Sequence, residues 1–78
     1  MAMKKYRVIY KDMNGITREH SFAAMAEDVD LGNVIMEWVD NEYNVDSSQT
    51  DGTDVWYTDQ DGEQIIVMRG MEVEEEND

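Results

Sequence analysis

His20 is the only histidine in the chain, and there is no cysteine. A thiolate–imidazole pair is therefore excluded, as are thiolate or multi-histidine zinc sites within one chain. Ser21, Ser47 and Ser48 sit in no nucleophile-elbow pattern, and no glycine-rich phosphate loop occurs. Two segments are rich in oxygen ligands, Asp59-Gln-Asp61-Gly62-Glu63 and Asp51-Gly-Thr-Asp54. A calcium loop of the EF-hand type needs acids at positions 1, 3 and 5, glycine at 6 and glutamate at 12. Neither segment has that spacing, and turn chemistry accounts for its Asp and Gly residues equally well. Paired carboxylates for acid–base work need a cleft, which a sheet with one helix rarely builds in 78 residues. No enzyme, metal or cofactor is expected. Binding is.

Charge is the stronger signal. The chain carries 19 acidic side chains and 6 basic ones, a net charge of −13. The basic residues cluster at the start: Lys4, Lys5, Arg7, Lys11 and Arg18 stand against Asp12 alone, and beyond them only Arg69 is basic. Solubility needs a net charge of only about 2–8 in a small domain. A field this negative repels nucleic acid and anionic lipid and attracts basic surfaces. Direct nucleic-acid binding is therefore not expected. No apolar run approaches the roughly 18 residues of a membrane span, and Met1 to Lys5 leads into a mixed polar strand rather than a signal core. A cytoplasmic protein is expected.

The elements that would carry these charges follow from pattern. Residues 3–11 are rich in aromatic and β-branched types and read as a strand, Asp12-Met-Asn-Gly15 as a turn, and Ile16 to Phe22 as the returning strand. A type I turn with Gly15 in a bulge pairs Asp12 with Ile16 and puts Tyr6, Val8 and Tyr10 on one face with Phe22, His20 and Arg18. The pattern Tyr-x-Asp-x-Asn/Asp-Gly recurs at Tyr57–Gly62, which predicts a second hairpin pairing residues 54–58 with 64–68. That hairpin is apolar on both faces, with Val55, Tyr57, Ile65 and Val67 on one and Trp56, Ile66 and Met68 on the other. Between the hairpins, Leu31, Val34, Ile35, Trp38 and Val39 form one apolar stripe, which predicts a helix over roughly Glu27 to Tyr43. Residues 44–53 read as a polar loop. The expected fold is α+β, ββαββ, one helix packed on a four-stranded antiparallel sheet. It forms a single domain over 1–71, followed by an acidic, flexible tail over 72–78.

The helix's outer face has no Lys or Arg from Glu27 to Asn44, so it forgoes every i,i+4 ion pair. Asp30, Glu37 and Asp40 are the expected centre of an anionic docking surface. Asp46, Asp51, Asp54 and the Glu72–Glu76 run continue it. Trp56, Ile66 and Met68 would supply an apolar anchor on the open sheet face.

In length, lack of cysteine and excess acidity, the whole chain resembles small phage-encoded inhibitors of host defence, including anti-CRISPR proteins and other DNA mimics. The resemblance implies carboxylates on a rigid scaffold that occupy the Lys/Arg-lined channel of a nucleic-acid-binding protein, in the host cytoplasm. The alternative is a small structural or regulatory module that self-associates, as a homodimer, or binds a partner through the Trp56 sheet face.

Overall fold

The repeated Asp-x-Asn/Asp-Gly signal builds the same turn twice. The computed structural model describes residues 3–25 and 31–76. In it, β1 (Met3–Lys11) and β2 (Thr17–Met25) flank the first turn. The Asp12 N–H donates to the Ile16 carbonyl at 2.9 Å, and the Gly15 N–H to the Asp12 carbonyl at 3.0 Å. Gly15 has φ +78°, the left-handed conformation that a bulged turn requires and glycine adopts without penalty. The register is the expected one: Tyr6 opposite Phe22, Val8 opposite His20, Tyr10 opposite Arg18.

The second turn matches it bond for bond. It joins β4 (Val55–Thr58) to β5 (Gln64–Glu76). The Asp59 N–H donates to the Glu63 carbonyl at 2.9 Å and the Gly62 N–H to the Asp59 carbonyl at 3.1 Å.

Between the hairpins, α1 (Leu31–Tyr43) buries Ile35 and Val39. Asn44 at φ +52° ends it, and the Val45 N–H closes back on the Asp40 carbonyl at 3.0 Å, a Schellman-type cap. Residues 27–30 of the expected helix, including Asp30, lie outside the described residues.

The architecture is α+β, but the four-stranded ββαββ expectation needs correction. A fifth strand, β3 (Ser48–Thr50), forms inside the segment read as a polar loop and pairs with β4. The sheet is antiparallel, in the order β2-β1-β5-β4-β3. A larger correction concerns the acidic run. Glu72–Glu76 is no tail. It is the second half of β5, with Glu72, Glu74 and Glu76 opposite Ile9, Arg7 and Lys5.

β5 serves two neighbours in succession, β4 with its first half and β1 with its second. Two irregularities mark the changeover. Trp56 pairs with Ile66 but Val55 with Met68, so Val67 is one extra residue. Ile9 pairs with Glu72 but Lys11 with Arg69, so Gly70 and Met71 together oppose Tyr10. Gly70 has φ +61°, and its N–H is held by Asp54 Oδ1 at 3.1 Å. The first bulge overturns another expectation. It turns Val67 and Met68 to the same side, and both are fully buried with Val8, Tyr10, Ile35, Val39 and Val55. Met68 belongs to the core, not to the face of Trp56.

An aromatic row lines the helix-covered face. Tyr6 stacks on Phe22 at 5.7 Å, and the His20 ring lies 4.1 Å from Trp38 at 13°, nearly parallel. His20 is thus a packing residue between sheet and helix.

Truncating Ile35 to Ala should destabilise the fold by about 2–5 kcal/mol. Gly70→Ala, with open space around the added methyl, should still cost about 1–2 kcal/mol because of its backbone angle. Chemical denaturation of the two variants checks both. A neutral Gly70→Ala would show that the bulge is not held left-handed.

Candidate functional site

The fold sorts the charges into two regions of different character. Among the described residues, β1, β2 with their turn, and β5 from Arg69 onward carry six cations: Lys4, Lys5, Arg7, Lys11, Arg18 and Arg69. They carry six acids: Asp12, Glu19, Glu72, Glu74, Glu75 and Glu76. That half is neutral. Residues 31–68 carry Glu37, Asp40, Glu42, Asp46, Asp51, Asp54, Asp59, Asp61 and Glu63, with no Lys, Arg or His at all. The remaining four acids, Glu27, Asp28, Asp30 and Asp78, lie outside the described residues.

In the neutral half the opposite signs meet across strands. Arg7 donates to Glu74 at 2.9 Å and lies 3.6 Å from Glu19, bridging β5 and β2. The hydrogen bond to Glu74, then the charge of Glu19, raises the affinity of the Arg7 guanidinium for its proton. Lys4 is 3.4 Å from Glu75, and the Ser21 hydroxyl donates to Glu76 at 3.0 Å. The Glu72–Glu76 run is therefore largely matched by partners within the fold.

In the acidic half some carboxylates have structural duties. Asp51 Oδ1 accepts the N–H groups of Thr53 and Asp54 at 2.9 and 2.8 Å, and these bonds, Asp54 first, hold its pKa below 3.8. Asp54 anchors the Gly70 bulge. Asp59 Oδ1 accepts from Asp61 and Glu63, both at 2.9 Å. Asp40, expected on the helix's outer face, is half-buried and accepts the Ser48 hydroxyl at 2.7 Å, tying α1 to β3. An edge strand beside the helix was not foreseen, and it draws Asp40 inward.

The remaining expected residues divide as follows. Glu37 and Asp46 are exposed, without an ion pair within the described structure. Trp56 is half-buried between Gln49 and Ile66 on the face opposite the helix. Its Nε1 is buried without an acceptor. Glu42, Asp61 and Glu63 were missed. All three are exposed acids without an ion pair, and the complete lack of cations from 31 to 68 was the signal that could have found them.

A shallow polar groove of about 610 Å³ opens in this acidic half, lined by residues 44–47 and 57–60, including Asp46 and Asp59. Among the described residues no cluster of three or more His, Asp or Glu has metal-binding geometry. The arrangement suits a long cationic side chain: two carboxylates in an open cleft, neither in an ion pair among the described residues. No helix among the described residues is long and apolar enough to cross a membrane. No family model, curated protein or solved structure matches the chain.

Asp12, like Asp51, has its pKa lowered, by the Ile16 N–H first and then by Arg18. A depressed native pKa means stability that is present above the unfolded value of 3.8 and lost as pH falls through the lower native value. An Asp12→Ala/Asp51→Ala double variant should melt earlier at pH 7 and lose less stability than the parent between pH 4 and 2. Thermal melts across that range decide it, and an unchanged pH slope would dismiss the turn aspartates as stabilisers. Tyr10 and Tyr43 are shifted above 10.0, mainly by burial. Unfolded tyrosines ionise first, so stability should decline once pH exceeds about 10. Phenolate absorbance should rise late for these two residues.

Proposed function

We propose that this chain is an acidic binding protein, not an enzyme, that occupies the basic nucleic-acid-binding surface of a partner protein. It would act in the cytoplasm as an inhibitor of the DNA-mimic or anti-CRISPR type. The observation that supports this most is the uncompensated half: nine carboxylates over residues 31–68 without one cation. A protein made acidic only for solubility would intersperse both signs, as the β1–β2 half does. Glu37, Glu42, Asp46, Asp61 and Glu63 are the contact residues, because they are exposed and hold no turn or strand in place. Asp40, Asp51 and Asp54 contribute field from fixed positions. Asp30 belongs to the same acidic stretch in sequence and remains a candidate.

The test is a pull-down from host lysate at low and high salt, followed by competition of the captured protein with duplex DNA and with RNA. Capture should weaken steeply with salt, and nucleic acid should displace the inhibitor. Changing Glu37, Glu42 and Asp46 together to Lys should reduce binding by about a hundredfold or more. A folded triple variant that binds as well as the parent would end this reading.

The orphan Trp56 Nε1 donor favours a second reading, in which the face of Trp56 and Ile66 binds a partner that supplies a hydrogen-bond acceptor. There, Trp56→Ala should abolish capture and high salt should leave it intact.

A further inference from the structure

We propose that the pocket beside the Gly70 bulge, on the sheet face opposite the helix, binds the phosphate group of a small molecule through Lys11 and Arg69. The pocket measures about 440 Å³, and its lining includes Ile9, Lys11, Thr17, Arg69 and Glu72. Tyr10 points into the core, so Ile9 and Lys11 on either side of it point the other way. Lys11 pairs with Thr17 of β2 and with Arg69 of β5. Directly opposed residues share a sheet face. A hydroxyl and two cations therefore stand in one row across three strands.

The bulge creates that row. Ile9 pairs with Glu72, and the same register continued without interruption would set Gly70 opposite Lys11. The extra residue in β5 sets Arg69 there instead. This shift is held from outside the ladder: Asp54 Oδ1 accepts the Gly70 N–H at 3.1 Å, and the Thr53 carbonyl accepts the Met71 N–H at 2.7 Å. Bulges re-aim side chains in this way beside functional sites.

Two like charges directly opposite each other destabilise a sheet. Lys4, Arg7 and Arg18 each meet a carboxylate within 3.6 Å, whereas Lys11 and Arg69 are in no ion pair among the described residues. An oxyanion seated between them converts one repulsion into two attractions. Neighbouring strands lie about 4.8 Å apart, so both long side chains reach a common point above the row.

The donors choose the anion. A carboxylate offers two oxygens, which an arginine alone satisfies. Two cations and a hydroxyl call for a third oxygen and a second negative charge. A phosphate monoester has both, with a charge of about −1.5 to −2 at pH 7. The nine carboxylates of residues 31–68 oppose a polyanion, which selects a small ligand with a single phosphate. Glu72, in no ion pair among the described residues, supplies an acceptor for a hydroxyl on the ligand's carbon frame.

Titration of the isotope-labelled full chain with glycerol phosphate, followed by amide NMR, tests this, with sodium chloride at equal ionic strength as the control. The amides of residues 9–11, 17 and 69–72 should shift with the phosphate and not with chloride. Inorganic phosphate should bind at the same place, more weakly. Arg69→Gln should weaken binding roughly tenfold or more while far-UV circular dichroism confirms the fold. Lys11→Glu separates the site from the fold. Facing Arg69, the new carboxylate should raise the melting temperature of the unliganded protein and abolish phosphate binding. A parent chain without phosphate-specific shifts would overturn the proposal, as would a Lys11→Glu chain that binds as before. Tighter binding of acetate than of phosphate would reassign the pocket to carboxylates, and tighter binding of an oligonucleotide than of glycerol phosphate would refute a small ligand.

Discussion

The structure depends on the pairing of an acidic strand with a basic one. β1 carries Lys4, Lys5, Arg7 and Lys11, and the second half of β5 carries Glu72, Glu74, Glu75 and Glu76. Exposed ion pairs of this kind contribute little one by one. Their collective effect is to cancel charge where the sheet is widest. Arg7 lies between Glu74 and Glu19; without it, those two carboxylates would flank β1 with no guanidinium between them. Because this half closes on itself, the net charge of the described residues comes from the other half.

That division changes what the acidity means. A net charge of −13 describes a uniform anion no better than a polarised one. Here the carboxylates of the acidic half differ in freedom as well as in place. Asp51, Asp54, Asp59 and Asp40 are pinned by backbone or hydroxyl donors, which gives the field a rigid frame. Glu37, Glu42, Asp46, Asp61 and Glu63 are left to reach outward. Preorganised charge of this sort needs little rearrangement when a cation arrives.

Much of the fold was legible where the signals were local. The two Asp-x-Asn/Asp-Gly turns, the first hairpin's register and the end of the helix at Tyr43 all follow from neighbouring residues. What escaped was non-local. Ser48–Thr50 has no apolar residue to mark it as a strand and forms only because β4 offers an edge. Glu72–Glu76 reads as a solvated tail until β1, some sixty residues earlier, is laid beside it. The Val67 bulge, which moves Met68 into the core, has no sequence mark, since it arises from matching one strand to two neighbours. For the site, acidity and the lack of cations were plain in the sequence. Which carboxylates were already occupied was not.

The position of β5 at the middle of the sheet also sets the order in which the molecule can be assembled. Neither hairpin arm, β1–β2 or β3–β4, has a shared neighbour until residues 64–76 exist. During synthesis at about 5–20 residues per second, the first arm waits roughly 3–10 s for the strand that will neutralise it. Through that interval its lysines and arginines lack the glutamates of β5, while the acids of residues 27–63 have already made the growing chain a net anion.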